Sequence, residues 1–196
     1  MNEFKNELNT LLQNGMTQED AFAFYDKLEP VENAIMIGKW KGKEAPSFHP
    51  MDGVLTVCPW HGKEFVDQET VHPLVFDKKN GKSFYFNPDN IFKHFESIIK
   101  SKTLKKMINS DKPIDPHKYD WLYKWFETKD SKARLRQVEY RGKVSAAMVY
   151  DRVAIIDIFR KLDDDSVFGV MDVKGDINNL GYFFVLERES NRRNGK

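Results

Sequence analysis

Residues 36–53, with the sequence MIGKWKGKEAPSFHPMDG, decide the fold. They contain a Gly-x-Trp-x-Gly pattern at Gly38, Trp40 and Gly42. On a pleated strand these three residues share one face. The glycines leave room for neighbouring backbone, and the indole covers the space that they vacate. The pattern therefore predicts a strand at the closing end of a small barrel.

Hydrophobic periodicity extends this prediction through the first half of the chain. Helical spacing predicts an amphipathic helix over the first dozen residues and a second helix from Thr17 to Pro30, with Asp20 completing a capping box. From residue 35 the period changes to that of strands. The five predicted strands span residues 35–43, 54–59, 63–66, 71–76 and 83–87.

A helical insert is expected between residues 91 and 130. Asn87-Pro88-Asp89 precedes apolar residues at helical spacing, and an aromatic helix is predicted over residues 118–126, as core or lid. The apolar residues of the first of these helices are Ile91, Phe92, Phe95, Ile98 and Ile99. The aromatic helix carries Trp121 and Trp125.

The second half of the chain predicts five strands joined by short links. Links this short force antiparallel neighbours. The strands span residues 134–140, 143–151, 153–161, 166–173 and 181–188. The expected fold is mainly β, an antiparallel barrel of about ten strands. N-terminal helices (1–30) precede one barrel domain (31–188), built as two half-barrels (31–90 and 131–188) around the insert, and a disordered tail (189–196) follows.

Composition narrows the class of protein. Lys and Arg number 31 against 30 Asp and Glu, so no nucleic-acid or anionic-membrane partner is expected. Apolar runs are too short to span a bilayer. The single cysteine, Cys58, fits a reducing, cytoplasmic compartment. Fifteen Phe, seven Tyr and four Trp indicate an aromatic core or an aromatic-lined cavity.

Asp157 is the most unusual polar residue of the second half, since it interrupts the apolar run AIIDIF. A charge buried in a strand is costly unless it is paired, and Arg136, Arg152 and Arg160 are candidate partners. A solvent-facing position is an equally good interpretation. Along the strand of Arg136, an Arg and a Tyr share one face while Glu139 lies on the other, and the pattern does not say which face is inside.

His49 and Asp52 form a second candidate pair near the expected mouth of the barrel. They could act as acid and base, or Asp52 could make an Asx turn with His49 on the surface; the two interpretations are balanced. Cys58 and His61 have the spacing of half a zinc site, but no second ligand pair follows, so no metal and no cofactor are expected.

These residues together resemble a known family. The first half is similar to the GXWXG domain, and the second half to the uncharacterised domain that usually accompanies it. The motifs that carry the resemblance are Gly38-Lys-Trp40-Lys-Gly42, His49-Pro-Met-Asp52-Gly53, Trp60, Gly62-Lys63, Val71-His72-Pro73-Leu74, residues 134–136 through 174–175, and residues 182–188. The family has essentially no assigned biochemistry, so the resemblance implies an architecture more than an activity.

The Gly-x-Trp start is also similar to the first strand of calycins: lipocalins, fatty-acid-binding proteins and haem-binding nitrobindins. That resemblance implies a barrel enclosing one small apolar ligand. The chain departs from it in three ways. Its helical insert follows the fifth strand, Glu44 stands where nitrobindins have a further Gly, and no His follows His117 to ligate haem.

The expected function is binding of a small hydrophobic or amphipathic molecule, such as a lipid acid or an isoprenoid-like compound, in the barrel cavity. An enzyme with His49, Asp52 or Glu139 as acid–base residues in the same cavity is the less favoured alternative. A solidly packed barrel that self-associates, for instance as a homodimer, is a third hypothesis. The residues assigned to the ligand are Trp40, Trp60, His72, Arg136, Glu139, Tyr150, Asp157 and Arg160.

Overall fold

The computed structural model describes residues 3–89, 106, 108, 115–175 and 178–189, and within them the protein is mainly antiparallel β. The helices are α1 (Glu3–Gln13), α2 (Gln18–Lys27), α3 (Asn33–Met36) and α4 (Asp120–Tyr123), with 3-10 turns at Pro116–Tyr119 and Lys124–Phe126. The first strands are β1 (Glu29–Pro30), β2 (Gly38–Glu44), β3 (Trp60–Phe65), β4 (Val71–Asp77), β5 (Ser83–Phe86) and β6 (Glu127–Thr128). The last are β7 (Ala133–Tyr140), β8 (Lys143–Tyr150), β9 (Ile155–Lys161), β10 (Ser166–Val173) and β11 (Tyr182–Arg188).

Eight of these strands pair into a closed ring. The order is β3, β2, β11, β10, β9, β8, β7 and β4, and β4 pairs again with β3. Strands β7 to β11 form the meander that their short links predict, with each strand beside its neighbour in the chain. Strand β2 then joins the two halves, because it pairs with β11 on one edge and with β3 on the other.

The pairing between β4 and β7, which we call the seam, has the fewest paired residues in the ring. The two strands share one residue pair, Val71 with Ala133, because the end of β4 pairs with β5 instead. The backbone N–H groups of Lys132 and Leu135 add hydrogen bonds to the carbonyls of Val71 and Gln68, at 3.1 and 2.8 Å. By contrast, β10 has six paired residues with β11 and seven with β9.

The glycines of the central motif allow close packing, but side chains of other strands, rather than backbone or the Trp40 indole, occupy the space beside them. Trp40 is fully buried, and its indole N–H donates to the carbonyl of Met36 at 2.7 Å. A Cβ on Gly42 would lie 2.1 Å from Cη2 of Trp60, so the second indole occupies the space beside this glycine. Gly38 has a φ of 129°, a conformation that residues with a side chain rarely adopt.

One apolar cluster, the inner cluster, takes residues from all eight strands of the ring and therefore lies inside it. It includes Trp40, Phe65, Val71, Leu135, Met148, Phe159, Met171 and Phe184. A second cluster, the outer cluster, lies between α1, α2 and the opposite face of β8 to β11. It includes Leu8, Phe24, Tyr25, Ala147, Ile158, Phe168 and Phe183. These strands are apolar on both faces because both faces are covered.

A third cluster packs the 3-10 turns of the insert against β4 and β5. Phe76, Phe84 and Phe86 form its buried part, with Tyr123 and Phe126 packed against them. The helix predicted over residues 118–126 is replaced by the short helix α4 between two 3-10 turns. Its two tryptophans do not join this core: Trp121 is 69% exposed and Trp125 is 83% exposed.

The prediction of a strand over residues 54–59 is wrong. These residues form helical turns, with the N–H of Val57 donating to the carbonyl of Gly53 at 3.1 Å. The strand predicted from residue 35 begins instead at Gly38, after the one-turn helix α3. The predicted helix from Ile91 to Ile99 lies outside the described residues, as does the tail beyond residue 189. Within the described residues, no helix is both long and apolar enough to cross a membrane.

Candidate functional site

A buried ion pair lies inside the ring. Nζ of Lys63 is 2.8 Å from Oδ2 of Asp157, and both side chains are almost completely buried. Asp157 is on the inner face of β9, between Ile155 and Phe159 of the inner cluster. Lys63 follows an irregularity in the pairing of β3 with β4 at Gly62, where φ is 152°.

The carboxylate of Asp157 is only half satisfied. Among the described residues Oδ1 has no hydrogen-bond partner, although it is buried. Burial raises the pKa of Asp157, and the neighbouring Lys63 ammonium partly opposes that rise. Lys63 has further partners, since Nζ also donates to the carbonyl of Pro73 at 3.1 Å and lies 5.0 Å from the ring centre of Phe184.

The side chains of the inner cluster around the Lys63–Asp157 pair differ in how deeply they are buried. Met148 and Met171 are the strand neighbours of Asp157, and Tyr150 lies on the same face one step from Met148. Burial raises the pKa of Tyr150 well above its usual value, with the negative charge of Asp157 adding to the effect, so the phenol stays neutral. Trp40 and Phe65 are fully buried on this inner face. The inner-cluster residues that stay half-buried include Val54, Leu55, Trp60, Val153 and Val173.

His61 lies at the edge of a small pocket beside Lys63. Its Nδ1 is 2.9 Å from Oδ2 of Asp77 and its Nε2 is 2.7 Å from Oε1 of Glu189. Both ring nitrogens of His61 are therefore within hydrogen-bond distance of a carboxylate. The pocket has a volume of about 280 Å³. It is lined by Lys39, His61, Lys63, Glu64, Val75, Asp77, Gly81, Ser83 and Glu189.

Glu44 anchors residues 45–59, which we call the rim segment. Its carboxylate accepts hydrogen bonds from the backbone N–H groups of Gly53 (3.1 Å) and Leu55 (2.8 Å) and from the hydroxyl groups of Thr56 and Tyr182. Glu44 is 6% exposed. The N–H groups of Gly53 and Leu55 point towards this carboxylate, and those of Val54 and Val57 donate to carbonyls within the segment, so the apolar run forms helical turns rather than pairing as a strand.

His49 and Asp52 are brought together in the rim segment, next to the anchored Glu44. Oδ2 of Asp52 accepts from the backbone N–H groups of Ser47 and His49, both at 2.8 Å, so Asp52 does organise a turn. Nδ1 of His49 accepts from the N–H of Met51 at 3.1 Å. Burial raises the pKa of Asp52, and the two backbone hydrogen bonds partly oppose the rise.

A pocket of about 600 Å³ borders this turn, which we call the rim pocket. Its lining combines the end of α1 with both candidate residues, and with Phe48, which is 75% exposed and has a φ of 61°. The lining residues are Leu12, Gly15, Met16, Lys43, Glu44, Pro46, Phe48, His49, Asp52 and Ile108.

Arg136 and Glu139 do not reach the interior. Arg136 shares the outer face of β7 with Val138, and its guanidinium donates to the carbonyl of Gln68 and to the carboxylate of Glu69. Glu139 lies on the same face of β7 as Leu135, but near the exposed end of the strand. The structure brings neither residue to the buried pair, because Arg136 faces away from the inner cluster and Glu139 is exposed beyond it, and their contact with a ligand stays a prediction.

His72 and Arg160 are buried but lie outside the ring. His72 stacks on Tyr85 with ring centres 3.6 Å apart, and burial lowers its pKa. Arg160 is 1% exposed, lies over the ring of Tyr25 in α2, and donates to the carbonyl of Tyr140 at 2.8 Å. Of the residues assigned to the ligand, the structure groups Trp40, Trp60, Tyr150 and Asp157 with the inner cluster.

Lys63 and Glu44 are the polar residues of this region that sequence reasoning missed. In the sequence, Lys63 lies between Gly62 and Glu64 and looks like any solvent-facing lysine of a polar strand. The usable signal is Gly62 itself, because a glycine inside a strand indicates a bulge or a close backbone approach. A Cβ on Gly62 would lie 1.9 Å from the carbonyl oxygen of Trp40.

Comparison with known families agrees with the glycine and tryptophan geometry. The family described as "GXWXG protein" matches residues 23–81. Residues 23–81 therefore match a GXWXG protein. "Domain of unknown function (DUF4334)" matches residues 131–188, so the partner domain expected from the sequence is also present.

A solved structure extends the likeness across both domains. The chain is similar to a protein from Thermomonospora curvata whose crystal structure is known. The two sequences are 28% identical, and the two structures superpose with a TM-score of 0.65. The likeness covers 95% of this chain and 99% of that one. No curated protein matches this chain. Both matched segments contribute residues to the inner cluster, so the two domains build one interior.

Proposed function

We propose that the ring is a calycin-like β-barrel whose interior binds a small hydrophobic or amphipathic molecule. The polar group of that molecule faces Lys63 and Asp157. The observation that carries the proposal is Oδ1 of Asp157, a buried carboxylate oxygen without a donor among the described residues. It lies in an interior otherwise formed by aromatic and aliphatic side chains.

Stability alone gives no reason for this pair. Replacing a buried ion pair by apolar residues of similar volume is often neutral or stabilising. Leaving one buried acceptor without a donor costs about 1–3 kcal/mol. An arrangement that lowers stability in an otherwise apolar core is typical of functional sites. A bound molecule that donates to Oδ1 would remove the cost.

Access to the interior is consistent with a ligand. Half-buried residues such as Val153 and Val173 lie at one end of the inner cluster, close to Ile155 and the seam. An eight-stranded barrel has an interior that side chains fill or that holds one small ligand, so the strand number is compatible with the proposal. The rim segment packs Met51, Val54 and Leu55 against the same cluster, so we expect it to cover the ligand.

An enzyme using the same cavity is less well supported, because the acid–base candidates do not converge. His49 and Asp52 border the rim pocket, Glu139 is exposed at the end of β7, and Asp157 is inside the ring. Acid–base catalysis needs groups within hydrogen-bond reach of one reacting molecule. The geometry favours a carrier or sensor.

The proposal is tested with a neutral apolar fluorophore, N-phenyl-1-naphthylamine, and by native mass spectrometry of the purified protein with organic extraction. We expect saturable 1:1 binding or a defined co-purifying molecule. Val173→Trp fills the half-buried end of the interior and should weaken probe binding about tenfold or more through overpacking. Val144→Trp is the matched control, since Val144 is 53% exposed, and it should bind as the wild type does. Absence of both probe binding and a co-purifying molecule would contradict the proposal.

A further inference from the structure

The buried Lys63–Asp157 pair leaves one carboxylate oxygen without a hydrogen-bond donor among the described residues. The ammonium of Lys63 has three hydrogens. One is directed to Asp157 and one to the carbonyl of Pro73, and the aromatic ring of Phe184 lies 5.0 Å from Nζ. The carboxylate of Asp157 uses only Oδ2. Oδ1 of Asp157 is therefore the oxygen of the pair left to accept from a ligand, while the third hydrogen of Lys63 has aromatic rings rather than an oxygen acceptor among its described contacts.

The charge in the interior is balanced before any ligand enters. Lys63 and Asp157 neutralise each other, and the Tyr150 phenol is neutral. Glu44, the other buried acid near this region, already accepts from four donors. The buried Arg160 lies on the outer side of β9 against Tyr25. Within the described residues no positive charge is left over inside the ring to receive an anionic head group.

We propose that the ligand is a neutral, hydroxyl-bearing apolar molecule whose O–H donates to Oδ1 of Asp157. This rests on the proposed function, because it names the chemistry of the ligand for the same interior. A carboxylate would bring a second negative charge beside Asp157 and would find no spare cation. An alkylammonium would bring a second positive charge beside Lys63, and it would lose far more hydration than a hydroxyl does. A hydroxyl loses little hydration and gains a charge-assisted hydrogen bond.

The test compares four ten-carbon compounds that differ in head group: 1-decanol, decanoate, decylamine and decyl methyl ether. Each is titrated against the full-length protein carrying bound N-phenyl-1-naphthylamine. Decanol should displace the probe at about tenfold or more lower concentration than the other three, since hydrogen bonds to a charged group have an effect of that order. The ether is the control for chain length, because it cannot donate.

Substitution of Asp157 should invert the preference for decanol over decanoate. In Asp157→Asn the charge of Lys63 has no counter-charge, so decanoate should gain about tenfold or more over decanol. The matched control is Asp172→Asn, on the outer face of the neighbouring strand β10, which should keep the wild-type order. If Asp157→Asn does not fold, the double variant Lys63→Met/Asp157→Leu replaces the pair by apolar groups and should bind decanol and the ether equally.

The outcomes separate the two proposals. Equal displacement by all four compounds, or a preference for decanoate or decylamine in the wild type, would overturn the hydroxyl inference and leave the binding function intact. A protein that binds neither the probe nor any of the four compounds would overturn both. A preference for decanol that survives in the double variant would also overturn the inference, since Asp157 would then not be its source.

Discussion

Gly42 and Trp60 show how a single hydrogen atom sets the packing between strands of the ring. A Cβ on Gly42 would lie 2.1 Å from Cη2 of Trp60, whose indole N–H donates to the carbonyl of Gly62 at 3.0 Å. Gly42→Ala should therefore lower the free energy of unfolding by about 1–3 kcal/mol. In a Trp60→Leu background the same change should cost almost nothing, which a double-mutant cycle in urea measures.

The contrasting position is Gly62, where the obstacle is backbone. A Cβ there would lie 1.9 Å from the carbonyl oxygen of Trp40, and φ is 152°. Gly62→Ala should destabilise the protein equally with Trp60 or Leu at position 60. Additive effects of Gly42→Ala and Trp60→Leu would show that the indole is not what the glycine accommodates.

The residue pattern predicts backbone demands better than it predicts charge pairs. Glycines flanking Trp40 indicate close packing because no other residue allows it. Lys63 gives no comparable signal, since its burial depends on a carboxylate 94 positions later in the chain. Asp157 is recognisable because a charge interrupts an apolar run, but its partner is set only by the ring closure that brings β3 opposite β9. The arginines suggested by the sequence all lie elsewhere.

At the level of elements, the rim segment depends on one carboxylate. Glu44 accepts from Gly53, Leu55, Thr56 and Tyr182. The apolar and β-branched residues of VLTVC predict a strand. The hydrogen bonds to the carboxylate of Glu44 override this local propensity. Hydrogen bonds to a charged group contribute about 1.5–3 kcal/mol each at most, so loss of the charge should loosen the segment.

Cys58 provides a reporter for this loosening. It is the only cysteine of the chain, and it packs against the third cluster, where burial raises the pKa of its thiol to about 11. At pH 8 the native thiol should react with iodoacetamide much more slowly than a free thiol does, because little of it is thiolate.

Glu44→Gln should speed alkylation of Cys58 about tenfold or more, because a neutral amide is a weaker acceptor for the four donors. Glu64→Gln is the matched control. Glu64 is also on the β2–β3 side of the ring, but it bonds Tyr85 and Lys39 instead of the rim segment. Mass spectrometry of the time course measures both rates. Equal rates in the wild type and Glu44→Gln would show that the carboxylate does not hold the segment.

For the whole molecule, the meander of β7 to β11 was predictable and the interior was not. Short links force antiparallel neighbours, and the five predicted strands of this half match the observed ones within two residues at either end. The face that points inward could not be assigned, because residues 144–161 are apolar on both sides. The structure supplies the reason: α1 and α2 cover the outer face of these strands.

The seam should be the least stable part of the ring. Strands β4 and β7 share one residue pair, whereas β10 is paired along most of its length on both sides. Local opening at the seam therefore separates fewer paired residues than opening on either side of β10. We expect amides of residues 71–73 and 133–135 to exchange with deuterium at least about tenfold faster than those of β10.

A disulfide across the seam tests whether this opening would also admit the proposed ligand. Val71 and Ala133 are register partners, and antiparallel partners have Cα atoms about 4.5–5.5 Å apart, within the range that a disulfide spans. In a Cys58→Ser background, oxidised Val71→Cys/Ala133→Cys should slow both amide exchange at the seam and release of N-phenyl-1-naphthylamine, and reduction should restore both. Slowed amide exchange with unchanged probe release would place the entrance at the rim segment, because the ring would then admit ligand without opening between β4 and β7.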